Sequence, residues 1–287
     1  GYAKQSYTAT NLKELIDSFK QIVASITALP FETSQVTDAL DSHFELVPGQ
    51  EGVKDNGDGT FTVTYPDAVS SNEQTISVKI KAKEGYAGSS YTNNGCVFEG
   101  TVGNLTYTEE FKQKPDAIIK PNAVNDSYTI NQDETLNAST VLENDDNELV
   151  NNTGKNVSLK AVKTTDTKNG TVTFNEDGTF SYVPDEGFSG NDSFEYNVVL
   201  TVDGKEYTKS ATVYIEVIPK YTLTINYQYE DGTKAAETVT QTVIRGNSTT
   251  EVISPEIKGY KPDIEKVEAK VLTENEPVSY THLTLPT

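Results

Sequence analysis

The sequence predicts an all-β chain of small modules in tandem, with one helix ahead of them. Three observations predict it. Period-two runs rich in Thr, Val, Ile and Tyr recur from Thr60 to Tyr280. Asp-Gly dipeptides punctuate those runs as hairpin signals. Only one stretch, near the start, carries helical apolar spacing.

That stretch is Asn11 to Ile26, where Leu12, Leu15, Ile16, Phe19, Ile22, Val23 and Ile26 recur at three- and four-residue intervals. Thr10 or Asn11 can cap its start, and Pro30 lies just past its end. Few residues precede it, so its apolar face is expected to belong to a domain upstream. After Pro30 the period changes. Strands are expected at Thr60–Tyr65, Thr75–Lys83 and Leu105–Phe111. A second group is Tyr128–Ile130, Ser158–Val162, Thr171–Phe174, Phe180–Val183, Ser193–Val199 and Ala211–Ile218. A third is Tyr221–Tyr229, Glu237–Ile244, Lys266–Leu272 and Val278–Tyr280.

Asp-Gly-Thr occurs at Asp58–Thr60, Asp177–Thr179 and Asp231–Thr233, and Asp-Gly again at Asp203–Gly204. Each reads as a turn, because both residues tolerate positive φ. A calcium loop starting at Asp55 is the alternative, but its third ligand position is Gly57, which has no side-chain oxygen. Proline cannot donate to a β-ladder. Linkers are therefore expected at Lys114-Pro115 to Lys120-Pro121 and at Ile218-Pro219-Lys220. The division is 1–30, 31–116, 121–219 and 220–278, with a tail at 279–287. Each module is expected to bury its own apolar side chains, strung end to end with no shared cleft.

Composition narrows the function. The chain has 287 residues, with 43 acidic and 23 basic, for a net charge of −20. Such a surface repels nucleic acid and anionic lipid. Arg245 is the lone arginine, which argues against a phosphate clamp. Cys96 is the lone cysteine, so no internal disulfide forms, and it reads as a half-buried strand residue. The two histidines, His43 and His282, make no recognisable cysteine–histidine signature. No apolar run reaches the ~18 residues of a membrane span. With no methionine and no signal peptide, the chain is expected to be an internal piece of an exported, monomeric protein.

Several segments resemble known families. Gly1-Tyr2-Ala3, Thr10-Asn11-Leu12-Lys13-Glu14-Leu15 and Phe19-Lys20-Gln21-Ile22 resemble the last helix of a von Willebrand factor A domain. That family's metal-binding loop is absent here. Val36-Thr37-Asp38-Ala39-Leu40 with Phe44-Glu45-Leu46-Val47 resembles the opening of a pilin-type adhesin β-sandwich. The resemblance implies a Lys–Asn isopeptide crosslink with a carboxylate catalyst, for which the candidates are Lys79 or Lys81, Asn93 or Asn94, and Asp38. The plainer alternative is surface lysines, a turn asparagine and a turn aspartate.

Ala123-Val124-Asn125-Asp126-Ser127-Tyr128, Val141-Leu142-Glu143-Asn144-Asp145, Asp177-Gly178-Thr179-Phe180-Ser181-Tyr182 and Phe188-Ser189-Gly190-Asn191-Asp192 occur in order. They resemble the bacterial Ig/cadherin-like repeat, over nearly all of 121–219. The resemblance implies calcium at module junctions, with Asp126, Asp145, Asp146 and Asp192 as candidate ligands. The alternative is a set of turn and loop aspartates. Calcium is the one cofactor implied.

Tyr221 to Tyr227, Glu230-Asp231-Gly232-Thr233, Ile244-Arg245-Gly246 and Lys258-Gly259-Tyr260 resemble the mucin-binding-protein repeat of Gram-positive adhesins, a small β-grasp-like unit. The resemblance implies contact with mucin glycans or a spacer role. Tyr260 is the candidate for stacking on a sugar, with sheet packing as the alternative. Val278 to Thr287 resembles a translated sequencing adapter, so His282 is expected to carry no role. The fold class is thus tandem Ig-like β-sandwiches, then a β-grasp-like module. The function expected is a non-catalytic adhesin or stalk segment on a bacterial surface, with a host mucin or matrix glycan or protein as partner. The alternatives are a calcium-stiffened spacer and the accessory modules of a secreted glycan-active enzyme, which would need a carboxylate pair in a cleft.

Overall fold

The computed structural model describes residues 8–9, 31–65 and 76–284. The helix expected over Asn11–Ile26 lies outside them. The described chain is built of strands, with one short 3-10 turn at Glu143–Asp145. Among the described residues no helix is long and apolar enough to cross a membrane.

In the first module, five antiparallel strands lie in the order Val53–Asp55, Thr60–Tyr65, Thr33–Leu40, Asn93–Val102, Leu105–Phe111. Phe61 and Val63 alternate inward from the Thr60–Tyr65 strand. They meet Phe44 and Ile80 from one strand pair, and Ala117 and Ile119 from another, in a single core. The strand expected over Thr75–Lys83 is confined to Ile80–Ala82. The Gln50 side chain takes the place of a strand neighbour before it: Lys79 N–H donates to Gln50 Oε1 at 2.6 Å, and Gln50 Nε2 donates to Lys79 O at 2.8 Å.

The first expected linker is instead a strand. Asp116–Ile119 pairs antiparallel with Tyr86–Tyr91 and in parallel with Thr8–Ala9. Pro115 and Pro121 bracket this strand rather than break it, because neither lies within the ladder. The first module therefore extends to residue 119. At the second joint one strand ends at Ile218 and the next starts at Lys220.

The middle module is a two-layer sandwich. One sheet runs Asp126–Asn131, Lys205–Ile218, Gly190–Val202, Val157–Lys163, and the other Leu136–Ala138, Phe180–Pro184, Gly170–Phe174. Its core holds Phe180, Tyr182, Phe194, Tyr196, Val213 and Ile215. Phe194 packs edge-on to both Phe174 and Phe180. The first and last strands pair in parallel, Asp126 opposite Val213 and Asn131 opposite Ile218. The chain therefore enters at one end and leaves at the other. The last module repeats this device, with Lys220–Tyr229 parallel to Glu276–Thr284. The expected tail is part of this module as far as residue 284: Ser279 to His282 pair with Asn226 to Tyr229. His282 is fully buried, packs on Tyr227 and bonds to Pro255 O through Nε2 at 3.0 Å. The packing gives His282 a place in the core of the last module.

The three Asp-Gly-Thr turns form alike. Asp58, Asp177 and Asp231 each accept the hydroxyl of the Thr two residues on, at 2.6, 2.7 and 2.6 Å. These bonds hold each carboxyl below its ordinary range. Asp55 likewise accepts the Gly57 N–H at 2.8 Å, so the turn stands where a calcium loop was the alternative.

The first two modules are not separate. Glu148–Asn151 leaves the middle sandwich and pairs in parallel with Tyr86–Tyr91 of the first. Ala87 and Ile118 of the first module pack with Leu200, Val202, Tyr207, Val157 and Leu159 of the middle one. The expectation of independent cores is corrected here. Small residues allow the approach. Gly88 has φ +129°, and a Cβ on it would lie 2.2 Å from Val150 O. Gly88→Ala is expected to push the two strands apart and cost on the order of 2 kcal/mol. Thermal melting and limited proteolysis around Val150 check this. A variant that melts and resists cleavage like the wild type would contradict the close packing.

Candidate functional site: the junction of the first two modules

Asn152 follows the exported strand and reaches into the first module. Its Nδ2 donates to Asp41 Oδ2 at 3.1 Å and to Ser90 Oγ at 3.0 Å, and its Oδ1 accepts the Tyr91 N–H at 2.9 Å. Thr153 Oγ1 bonds to Ser89 Oγ at 2.8 Å, and Lys155 pairs with Asp116. His43 Nδ1 is bonded to Asp41 Oδ1, which also accepts Ser90 Oγ at 3.0 Å. Burial pushes the Asp41 carboxyl up, but the bonds from His43 and Ser90 outweigh it and hold it below the ordinary range.

Aspartate, histidine and serine together invite comparison with a hydrolase triad. The geometry is wrong for one. Ser90 Oγ lies 3.2 Å from His43 Nδ1, the same nitrogen that faces Asp41. A triad needs the acid and the nucleophile on opposite ring nitrogens. Ser90 is also fully buried, with no access for a substrate. The cluster is a polar lock between modules.

Asp38 and Asn93 are brought together deep in the first module, at 2% and 0% exposure, with Asn93 Nδ2 donating to Asp38 Oδ2 at 3.3 Å. Burial raises the Asp38 carboxyl to about 7, against the lowering effect of the Asn93 bond. Asp38 Oδ1 and Asn93 Oδ1 both lack partners among the described residues. Cys96 lies opposite Asp38 in the ladder and is buried, more so than expected. Burial first, then the Asp38 charge, pushes its thiol up to about 12, so it is not a nucleophile at neutral pH.

The candidate lysines are elsewhere. Lys79 and Lys81 are exposed, and Lys81 pairs with Glu45 at 2.7 Å. Neither has a hydrogen bond or ion pair to Asp38 or Asn93 among the described residues. A crosslinking amine must be buried beside its acid to lose its proton, so Lys79 and Lys81 do not fit that role. Asn94 is exposed, with Nδ2 donating at 3.5 Å to Leu40 O.

The four acidic candidates of the middle module divide. Asp192 accepts N–H groups from Lys168, Asn169 and Ser193 and the Tyr182 hydroxyl, all at 2.9–3.1 Å, which makes it the cap of a loop. Asp146 is exposed. Asp126 and Asp145 are buried and electrostatically coupled. Asp145 Oδ1 takes the Val124 N–H at 2.7 Å, while its Oδ2 has no partner among the described residues. Burial raises the Asp126 carboxyl to about 6, opposed by the Tyr196 hydroxyl and assisted by Asp145. Tyr196 OH lies 3.0 Å from Asp126 Oδ2 and 3.2 Å from both Val124 O and Val141 O. Among the described residues no group of three or more Asp, Glu, His or Cys is placed to hold a metal ion.

Residues 118–216 match the family described as the bacterial Ig domain. The matched segment runs from the end of the Asp116–Ile119 strand through the middle sandwich to within two residues of its last strand's end. No curated protein matches the chain. Similar solved structures include the MucBP domain of the adhesion protein from Pediococcus pentosaceus, at 20% identity over 23% of this chain and 99% of that one, TM-score 0.21. Mub-RV is similar at 12% identity over 58% of this chain and 100% of that one, TM-score 0.22. Mouse clustered PcdhgC3 EC1-3 is similar at 10% identity over 85% of this chain and 89% of that one, TM-score 0.30.

In the last module Tyr260 is half-buried, and its ring lies 4.7 Å from that of Tyr229. The pair forms one aromatic face, of which Tyr229 was not foreseen. The lock residues Asp41, Ser90 and Asn152 were not foreseen either, because they are 49 and 111 residues apart in pairs.

The Asp38 carboxyl gives a pH test. Its folded value of about 7 lies above the ordinary 3.8. The stability this group supports is full below its unfolded value and is lost as pH rises through about 7. Asp38→Asn removes the titration. The stability of D38N relative to wild type is expected to grow between pH 4 and pH 8, by on the order of 2 kcal/mol. Parallel stability–pH curves, read by urea unfolding, would contradict it.

Proposed function

We propose that this chain is a non-catalytic adhesin segment of a bacterial surface, which holds ligand-binding faces away from the cell. The observation that carries the reading is the way the modules are joined. Parallel first and last strands send the chain out of the opposite end of both the bacterial Ig module and the last module. A strand and the Asn152 side chain lock the first module to the next. Such joints transmit orientation along a stalk, whereas a flexible linker would lose it. The acidic exterior favours solubility and self-repulsion over association. The bacterial Ig family match and the resemblance of the last module to mucin-binding repeats support the same reading.

The Tyr229–Tyr260 face is the proposed contact for mucin glycans. Tyrosine offers an apolar ring to a sugar face and a hydroxyl to its edge. In the full chain, Y229A/Y260A is expected to lower binding to immobilised mucin glycopeptides at least fivefold while the melting of the first two modules is unchanged. Undiminished binding by the double variant would remove the tyrosine face from the account.

A second reading is favoured by one observation, the unsatisfied Asp145 Oδ2 beside the buried Asp126. A calcium ion prefers oxygen ligands. The two carboxylates with the carbonyls of Val124 and Val141 would be its protein ligands, and the ion would stiffen the module by mass action on the folded state. Calcium is then expected to raise the melting temperature of the wild type by several degrees relative to chelator, but not that of D145N. Identical melting curves with calcium and with chelator would exclude this reading.

A further inference from the structure

A cleft of about 560 Å³ opens where the first module meets the bacterial Ig module. Its volume falls in the range of small-ligand sites, roughly 300–1,000 Å³. Its floor is the edge of the first module's core, with Phe44 and Ile80, and the Tyr86 ring lines one side. Four lysines stand around it, against two acids, Glu84 and Asp146. In a chain of net charge −20 this is a local reversal of sign.

The four lysines are not equivalent. Lys81 is held by Glu45 at 2.7 Å, and Lys209 by Asn122 Oδ1 at 2.8 Å. Lys83 and Lys120 are exposed and have no ion pair among the described residues. Charge elsewhere on the surface is screened over roughly 8 Å at physiological ionic strength. An anion in the cleft therefore feels the lysines more than the distant carboxylates.

The chemistry of the lining selects the ligand. Lysine ammoniums are point donors without the fixed fork of arginine, so they suit a single carboxylate or sulfate presented at varied angles. An apolar floor beside an aromatic ring suits the apolar face of a sugar. We propose that the cleft between the first two modules binds an acidic saccharide, a sugar ring bearing a carboxylate or sulfate. Lys83 and Lys120 hold the anion, and Tyr86 lies against the ring. The walls come from both modules, with Asp146 and Lys209 on the side of the middle one. This site is separate from the Tyr229–Tyr260 face and does not depend on it.

The test is calorimetric titration of the full chain with sialyllactose, with a sulfated lactose and with neutral lactose. Both acidic sugars are expected to bind, with lactose at least tenfold weaker. K83E/K120E is expected to lose at least tenfold in affinity for the acidic sugars, with K83Q/K120Q intermediate and both variants melting as the wild type. Y229A/Y260A is expected to bind them undiminished. Absence of binding by either acidic sugar, equal binding of lactose, or wild-type affinity in K83E/K120E would overturn the proposal. Acidic-sugar binding lost in Y229A/Y260A but kept in K83E/K120E would also overturn it while leaving the adhesion reading intact.

Discussion

The exchange of main-chain hydrogen bonds between Tyr86–Tyr91 and Glu148–Asn151 is the contact on which the arrangement depends. A strand edge left unpaired is a liability in a surface protein. Here the middle module supplies the missing neighbour, and Gly88 lets the two backbones meet. The shared apolar cluster of Ala87, Leu200, Val202 and Tyr207 then closes beside the strands. Asn152 and Lys155 fix the register with polar bonds that slippage would break. The cleft is lined mostly by the first module, with Asp146 and Lys209 on the side of the middle one.

Buried acids elsewhere tell a consistent story about chemistry. Asp38, Asp126 and Asp145 all have carboxyls raised chiefly by desolvation. Each sits against an amide, a tyrosine hydroxyl or a backbone N–H. A raised carboxyl is a general-acid candidate only where a reacting group can reach it. Asp38 is tied into packing by Asn93, and the acids at the three Asp-Gly-Thr turns specify hairpins.

Much of the fold was legible in the sequence, for physical reasons. Period-two runs found the strands of the middle module because each has one buried and one solvated face, as Phe194, Tyr196 and Val198 show. Asp-Gly-Thr found the turns because the aspartate captures the threonine locally. Tyr86–Tyr91 was not legible. Its Ala, Gly and Ser residues have low strand propensity, and their burial comes from a partner about sixty residues away. Asp116–Ile119 was hidden by its bracketing prolines. Of the expected sites, Asp38 and Asn93 do meet, because they lie on adjacent strands. Lys79 and Lys81 do not: the Lys79 backbone is bonded to Gln50, and Lys81 pairs with Glu45. The Tyr229 ring beside Tyr260 was not legible, because a ring contact across a sheet leaves no mark in sequence spacing.

The most direct test of the joint is amide hydrogen exchange by mass spectrometry on the full chain. The account predicts that peptides covering Gly88–Ser90 and Val150–Asn152 are slow to exchange and open together, with a common response to Asn152→Ala. Fast exchange around Val150 while Ser90 stays protected would contradict it, because the two modules would then open independently.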